Sequence, residues 1–279
     1  MCSDCRRRDI RMAEPWLEIS NGEAWLNRKT VLRNLNLRLH LGESTTILGP
    51  NGAGKSSLVK LIDRTLLPIV QPHSHLRLFG RTNVNLWDLR RRIGVLNSEL
   101  ELRFPPAAAA LEVVLSGLFG SMRLGRDQVP TTQQQQVARN LMQRLGLDSI
   151  LDQPYRELSD GQRRRLLIAR ALVHEPEVLV LDEPSRALDL QASHQLIHCL
   201  RQLCRQGTTL VQVTHRIDTI IPEMKRVLFL QKGTISADGT PENMLTAEQL
   251  SGLFSTPLTV VESGGFRQVL PDPTTWDAW

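Results

Sequence analysis

No run of apolar residues in this sequence approaches the roughly 20 needed to cross a bilayer. No secretion leader is expected either. The first residues, Met1-Cys2-Ser3-Asp4-Cys5-Arg6-Arg7-Arg8, carry charge with no apolar stretch behind it. Both absences lead to the expectation of a chain that works in the cytoplasm and reaches a membrane only through another subunit. Cysteines number four, too few for a disulfide framework in 279 residues. Cys2 and Cys5 form a C-x-x-C pair, but no second pair follows at zinc-finger spacing, and Cys199 and Cys204 fall within a helical pattern. There is no internal repeat and no long coiled-coil insertion, and no strand pattern stands out between residues 105 and 157.

What is present is ordinary for a globular protein: 41% hydrophobic and 23% charged residues. The net charge of +5, from 34 Lys and Arg against 29 Asp and Glu, suits an anionic ligand, an anionic membrane face or nucleic acid without choosing among them. The basic residues are dispersed, which disfavours nucleic acid. Residues 1–15 read as a flexible leader. From Trp16 the pattern is strand-like: Leu17 and Ile19 alternate with polar residues, and Asn21-Gly22 marks a turn. Leu35, Leu37, Leu39 and Leu41 alternate with polar partners as a half-buried antiparallel strand. A helical insertion of about 100–172 follows Ile93–Leu96. Val178–Leu181 and Thr208–Thr214 read as buried strands, and Thr240-Pro241 opens a helix with a cap residue and proline at its first position. The body ends near Leu253, and 254–279 reads as an irregular tail. His194 and His198, four apart on one helix, read as a solvated face, since no catalytic glutamate lies between them.

The chemistry concentrates in three stretches. Gly49-Pro50-Asn51-Gly52-Ala53-Gly54-Lys55-Ser56-Ser57 has the spacing Gly, four residues, Gly-Lys-Ser. Its glycines let the chain curl so that successive amides point inward at a polyphosphate. Lys55 adds positive charge for the outer phosphates, and Ser56 offers a hydroxyl to a magnesium ion. Ser44–Leu48 reads as a strand entering this loop, and Leu58, Leu61, Ile62, Thr65 and Leu66 as a helix leaving it, so the phosphates would sit at a helix N-terminus. Second, Val178–Leu181 runs into Asp182-Glu183, a buried strand delivering two carboxylates to a sheet edge. One could hold magnesium or its water, the other poise a water against the terminal phosphate. Third, Leu158-Ser159-Asp160-Gly161-Gln162 opens a helix. Ser159 and Gln162 have capping-box spacing, while Gly161 leaves room for an anion at the free amides. Both can hold.

These stretches, with Pro184, Ala187-Leu188-Asp189 and Thr214-His215, occur in the order and spacing of an ATP-binding-cassette (ABC) ATPase. The resemblance runs from about Trp16 to Leu253. It implies an α/β fold: a P-loop NTPase (RecA-like) core with an N-terminal antiparallel β subdomain and an inserted helical subdomain. It implies an ATP-hydrolysing transporter subunit, peripheral at the inner face of the membrane, working as a homodimer with separate transmembrane permease subunits and using ATP and Mg2+. Residue by residue, Lys55 would meet the β- and γ-phosphates, and Ser56 and Asp182 the metal. Glu183 resembles the general base and His215 the switch histidine. Ser159 and Gly161 would contact the nucleotide held by the other protomer, and Asp189 matches the D-loop aspartate. Trp25 would stack on adenine, with Trp16 as the alternative. The family's usual glutamine after the strand equivalent to Ile93–Leu96 is here Ser98, so that a water, Glu99 or Asn97 fills its place or coupling differs. Val114-Leu115-Ser116-Gly117 and the stretch from Val213 to Pro222 resemble a subgroup associated with molybdenum transport. Two other readings remain: a soluble cassette acting on ribosomes or DNA, and a nucleotide-dependent regulator with little turnover.

Overall fold

The computed structural model describes residues 14–97 and 99–272. Its centre is a six-stranded sheet in the order β5-β6-β7-β3-β8-β9. The strands are β3 (Thr45–Leu48), β5 (Ile93–Leu96), β6 (Val178–Asp182), β7 (Thr209–Thr214), β8 (Arg226–Gln231) and β9 (Thr234–Gly239). Every residue of β3, β6 and β7 is buried. Such unbroken burial goes with parallel strands covered on both faces, and only β8–β9 pairs antiparallel. Alternation along the strands divides the interior. Leu48, Leu179, Leu181, Leu210 and Phe229 belong to one apolar core, and Ile47, Val178, Val180, Val211 and Leu228 to the other.

The first core is covered by the helical region. Here α3 (Ala110–Ser116), α4 (Thr132–Arg144) and α5 (Asp160–Leu172) pack together with α6 (Leu190–Arg205). Among the described residues no strand lies between Leu96 and Val178. The second core is covered by α1 (Lys55–Ile62) and by a separate antiparallel sheet in the order β2-β1-β4. Its strands are β1 (Leu17–Leu26), β2 (Lys29–Leu39) and β4 (His75–Leu78). A short helix, α2 (Leu86–Arg92), leads into β5.

Three local expectations are corrected. Asn21-Gly22 is not a turn: β1 runs through it, with Asn21 at φ 46° and register shifts on both sides of Gly22. It is a bulge, where asparagine tolerates positive φ as readily as in a turn. The hairpin turn is Asn27-Arg28, at φ 50° and 63°. The β2 alternation stops at Leu39, leaving Leu41 exposed. Beyond α7 (Pro241–Met244) and α8 (Ala247–Phe254) the chain is not irregular. It forms a hairpin of β10 (Leu258–Ser263) and β11 (Phe266–Pro271) around Gly264-Gly265, at φ 59° and 81°. Two positive-φ residues between alternating apolar runs make a two-residue hairpin. Leu258, Val260, Phe266 and Val269 rest on the first core. Cys2 and Cys5 and most of the expected leader lie outside the described residues.

Candidate active site

Strand order builds the site. Because β6, β7 and β3 are consecutive in the sheet, the segments leaving their carboxyl ends are neighbours. Those segments are Asp182-Glu183, Thr214-His215 and the loop 49–57.

Loop 49–57 is fixed by close backbone packing. A Cβ on Gly49 would fall 2.2 Å from the Leu230 carbonyl oxygen, so only glycine fits there. Gly54, at φ 104°, precedes α1 and lies against the Val31 carbonyl. The Gly233 amide donates to Ala53 O at 2.8 Å, so the turn after β8 braces the loop from behind. Lys55 is 6% exposed. Its ammonium donates to Gly49 O at 2.8 Å and Pro50 O at 3.0 Å, and lies 3.4 Å from Glu183 Oε1.

Asp182 is 3% exposed. Burial pushes its carboxyl above the usual range, the Ser56 hydroxyl pulls it down by hydrogen bonding, and neighbouring Glu183 pushes it up again. Its Oδ1 is buried without a hydrogen-bond partner. A buried carboxylate oxygen with no donor, beside a serine hydroxyl, is a fitting donor set for a hard divalent cation. Glu183 takes up a left-handed backbone, φ 48°, and its amide donates to Val213 O at 2.8 Å. Such a conformation persists in a bulky residue only when the surroundings enforce it. Its Oε1 is 2.8 Å from His215 Nδ1, and its Oε2 accepts from the Thr214 hydroxyl at 3.2 Å. Lys55, Ser56, Asp182, Glu183 and His215, chosen from separate stretches of sequence, therefore meet. Thr214 joins them through a hydroxyl that the sequence marked only as the neighbour of His215.

Ser159, Gly161 and Asp189 form a second group. Ser159 Oγ accepts from the Gln162 amide at 3.2 Å while Gln162 Oε1 accepts from the Ser159 amide at 2.8 Å, a complete capping box on α5. Asp189 Oδ1 caps α6 by accepting from the Ala192 amide at 2.7 Å. Gly161 packs on that same turn: a Cβ there would be 2.6 Å from Ala192 Cβ. Among the described residues no hydrogen bond or ion pair joins this group to loop 49–57.

Trp25 is 51% exposed, its Nε1 donating to Glu23 at 2.6 Å. It lies on the β1–β2 hairpin, whose Val31 touches Gly54. Trp16 is excluded as a ligand-stacking ring: it is 1% exposed and packs on Phe79 in the core. Ser98 lies outside the described residues. Its two proposed substitutes are both engaged. Asn97 accepts from the Leu100 amide at 3.0 Å, and Glu99 pairs with Lys60 of α1 at 2.5 Å. Farther along, Glu101 pairs with the buried Arg164 of α5 at 3.0 Å.

A glycine loop between a buried strand and a helix, a buried lysine, and a carboxylate pair on the adjoining strand define a P-loop nucleoside triphosphatase. The chain belongs to the ABC transporter family, whose profile matches residues 32–186. It is 32% identical over 250 residues to the uncharacterized ABC transporter ATP-binding protein YlmA of Bacillus subtilis, covering 88% of this chain and 93% of that one. It is 33% identical over 237 residues to the hemin import ATP-binding protein HmuV of Aliivibrio fischeri, covering 82% and 86%. A solved ABC transporter of proposed metal-chelate type, in an inward-facing conformation, superposes with a TM-score of 0.75 at 27% identity, covering 94% of this chain and 99% of that one. The protein is thus an ATP-binding, ATP-hydrolysing subunit of an ABC transporter. The resemblance to the molybdenum-transport subgroup gains no support from these relatives: YlmA is uncharacterized and HmuV is named for hemin import.

Proposed function

We propose that hydrolysis is magnesium-dependent and centred on Glu183, in a head-to-tail homodimer that drives separate membrane-spanning permease subunits from the cytoplasmic side. The observation that carries this is the fixing of the Glu183 carboxylate, one oxygen by His215 and the other by Thr214. A carboxylate so oriented acts as a general base by accepting a proton from the attacking water. His215 orients it, and Lys55 and the amides of loop 49–57 hold the phosphates. Ser56 and Asp182 would hold Mg2+, which supplies neutralising charge on the phosphate oxygens when bound. Trp25, on the hairpin beside the loop, would stack on adenine. Ser159 and Asp189 stand apart as exposed caps of α5 and α6, with Gly161 buried between the two helix starts, which suits a contact made there to the nucleotide of the other protomer. The hemin-import relative and the metal-chelate type structure favour a metal chelate as cargo. Glu183→Gln tests the reading. It should still bind MgATP, lose cleavage by about 100-fold or more, and accumulate an ATP-bound dimer seen by light scattering. A monomeric variant with normal turnover overturns the proposal.

A further inference from the structure

One buried residue near the site has chemistry that neither the fold nor the proposed reaction uses. Gln212 lies in β7, paired between Thr46 of β3 and Leu181 of β6, and is 0% exposed. An amide side chain in the middle of a parallel sheet costs stability unless it is fully hydrogen-bonded, and this one is not: its Oε1 has no partner. Its Nε2 is committed. It donates to both the carbonyl oxygen and the hydroxyl of Thr219, each at 3.2 Å.

Those bonds close a loop. Thr219 Oγ1 donates onward to Arg216 O at 3.0 Å. The Arg216 amide donates to Thr214 Oγ1 at 3.0 Å, and that hydroxyl donates to Glu183 Oε2 at 3.2 Å. Gln212 and Thr214 are two apart on one strand and so point to the same face. Segment 215–219 is therefore tied to β7 at both ends, by Thr214 where it leaves and by Gln212 where it folds back. His215 is the first residue of that segment. The Arg216 guanidinium adds a side tie to Ser185 O at 3.4 Å, just beyond Glu183.

We infer that Gln212 is a positioning residue: through Thr219 it fixes the segment that holds His215 against Glu183. This rests on the proposed roles of His215 and Glu183. A small misplacement of a group acting on the attacking water can cost on the order of 100-fold in rate. Loss of one of several ties should cost less.

The test compares Gln212→Leu, Thr219→Val, the double variant and His215→Ala in the full chain. The measurements are kcat and KM for MgATP, the Kd of the fluorescent probe TNP-ATP, and the thermal midpoint. Gln212→Leu should lower kcat about 10-fold with TNP-ATP affinity within about twofold of the parent, an order of loss that misplacement alone can produce. Its thermal midpoint should change little, because removal of the orphaned Oε1 offsets the loss of the donor to the Thr219 carbonyl. Thr219→Val, which also cuts the tie to Arg216, should lower kcat severalfold. The double variant should lose less kcat than the product of the two single losses, since both substitutions remove the same Nε2–Oγ1 bond and only Thr219→Val removes the tie to Arg216. Unchanged kcat in Gln212→Leu while His215→Ala is inactive overturns the inference and leaves the proposed function standing. Full turnover by His215→Ala overturns both. If Gln212→Leu fails to fold, Gln212→Met, which keeps the side-chain length and lacks the donor, takes its place: unchanged kcat there while His215→Ala is inactive overturns the inference.

Discussion

Gly161 offers a sharp test of how the second group of site residues is held. An added Cβ would sit 2.6 Å from Ala192 Cβ and 3.6 Å from Ala192 Cα. Carbon atoms in contact prefer about 3.5–4.0 Å, so Gly161→Ala brings about 1 Å of overlap between two groups with no rotatable bond to relieve it. The N-termini of α5 and α6 must separate. Overpacking of this kind costs about 1–3 kcal/mol, and the better helix propensity of alanine returns about 0.5–1 kcal/mol. The expected net loss is about 0–2.5 kcal/mol, or up to about 10 °C in Tm for a domain of this size class. Ala192→Gly removes the colliding methyl and by itself costs about 0.5–1 kcal/mol. In the double variant the clash is gone, so its loss should be smaller than the sum of the single losses by about 1–3 kcal/mol. Because Asp189 caps α6 on the Ala192 amide, ATPase activity should fall in Gly161→Ala and partly return in the double. The measurements are urea unfolding and steady-state hydrolysis on all four proteins. Simple additivity of the two substitutions in both assays would refute the packing argument.

Asp182 gives a pH test. Burial raises its carboxyl pKa in the folded state, so ionisation is penalised there: the penalty is absent below the unfolded carboxylate range and complete above the raised folded value. Without Mg2+, Asp182→Asn should therefore match the parent in Tm near pH 4 and exceed it near pH 8, while losing the stabilisation that Mg2+ with ATP gives the parent; a difference independent of pH contradicts the cause assigned. Lys55→Ala should weaken ATP binding and abolish turnover in a folded protein, read by TNP-ATP titration and phosphate release, and unchanged hydrolysis would remove Lys55 from the site. For Ser98, the Lys60–Glu99 and Arg164–Glu101 pairs anchor the flanking loop to α1 and α5. Ser98→Gln should therefore give no rate gain and should weaken coupling to a reconstituted permease, and a large gain with coupling intact would show the loop to be a degenerate version of the glutamine site.

Where chemistry is written in contiguous residues, the sequence by itself determined it. Loop 49–57 is local: the conformations it needs are supplied by its own glycines, and the helix after it by its own periodicity. The capping boxes at Thr131 and Ser159 and the apolar run into Asp182 are local in the same sense. The β10–β11 hairpin is also written locally, in Gly264-Gly265 between alternating apolar residues, although Pro257 and Pro271 on either side read as breaks in a strand. Asn21-Gly22 carried a turn signal that asparagine and glycine give equally at a bulge, and only pairing along the whole of β1 separates the two.

Tertiary structure decided the rest. Trp16 and Trp25 look alike in sequence, but Trp16, just before β1, packs on Phe79 in a core, while Trp25, near the far end of β1, is exposed. Glu183 meets Lys55 and His215 because β6, β7 and β3 are consecutive in the sheet, an order that no stretch of sequence specifies, since parallel strands are joined by long crossovers. Gly161 is small because Ala192 stands against it, and Gln212 is tolerated in the sheet because Thr219 folds back to meet it. In each case the deciding partner comes from another element and is chosen by strand order and register, so the residue's own neighbours in the chain could name its chemistry but not its contact.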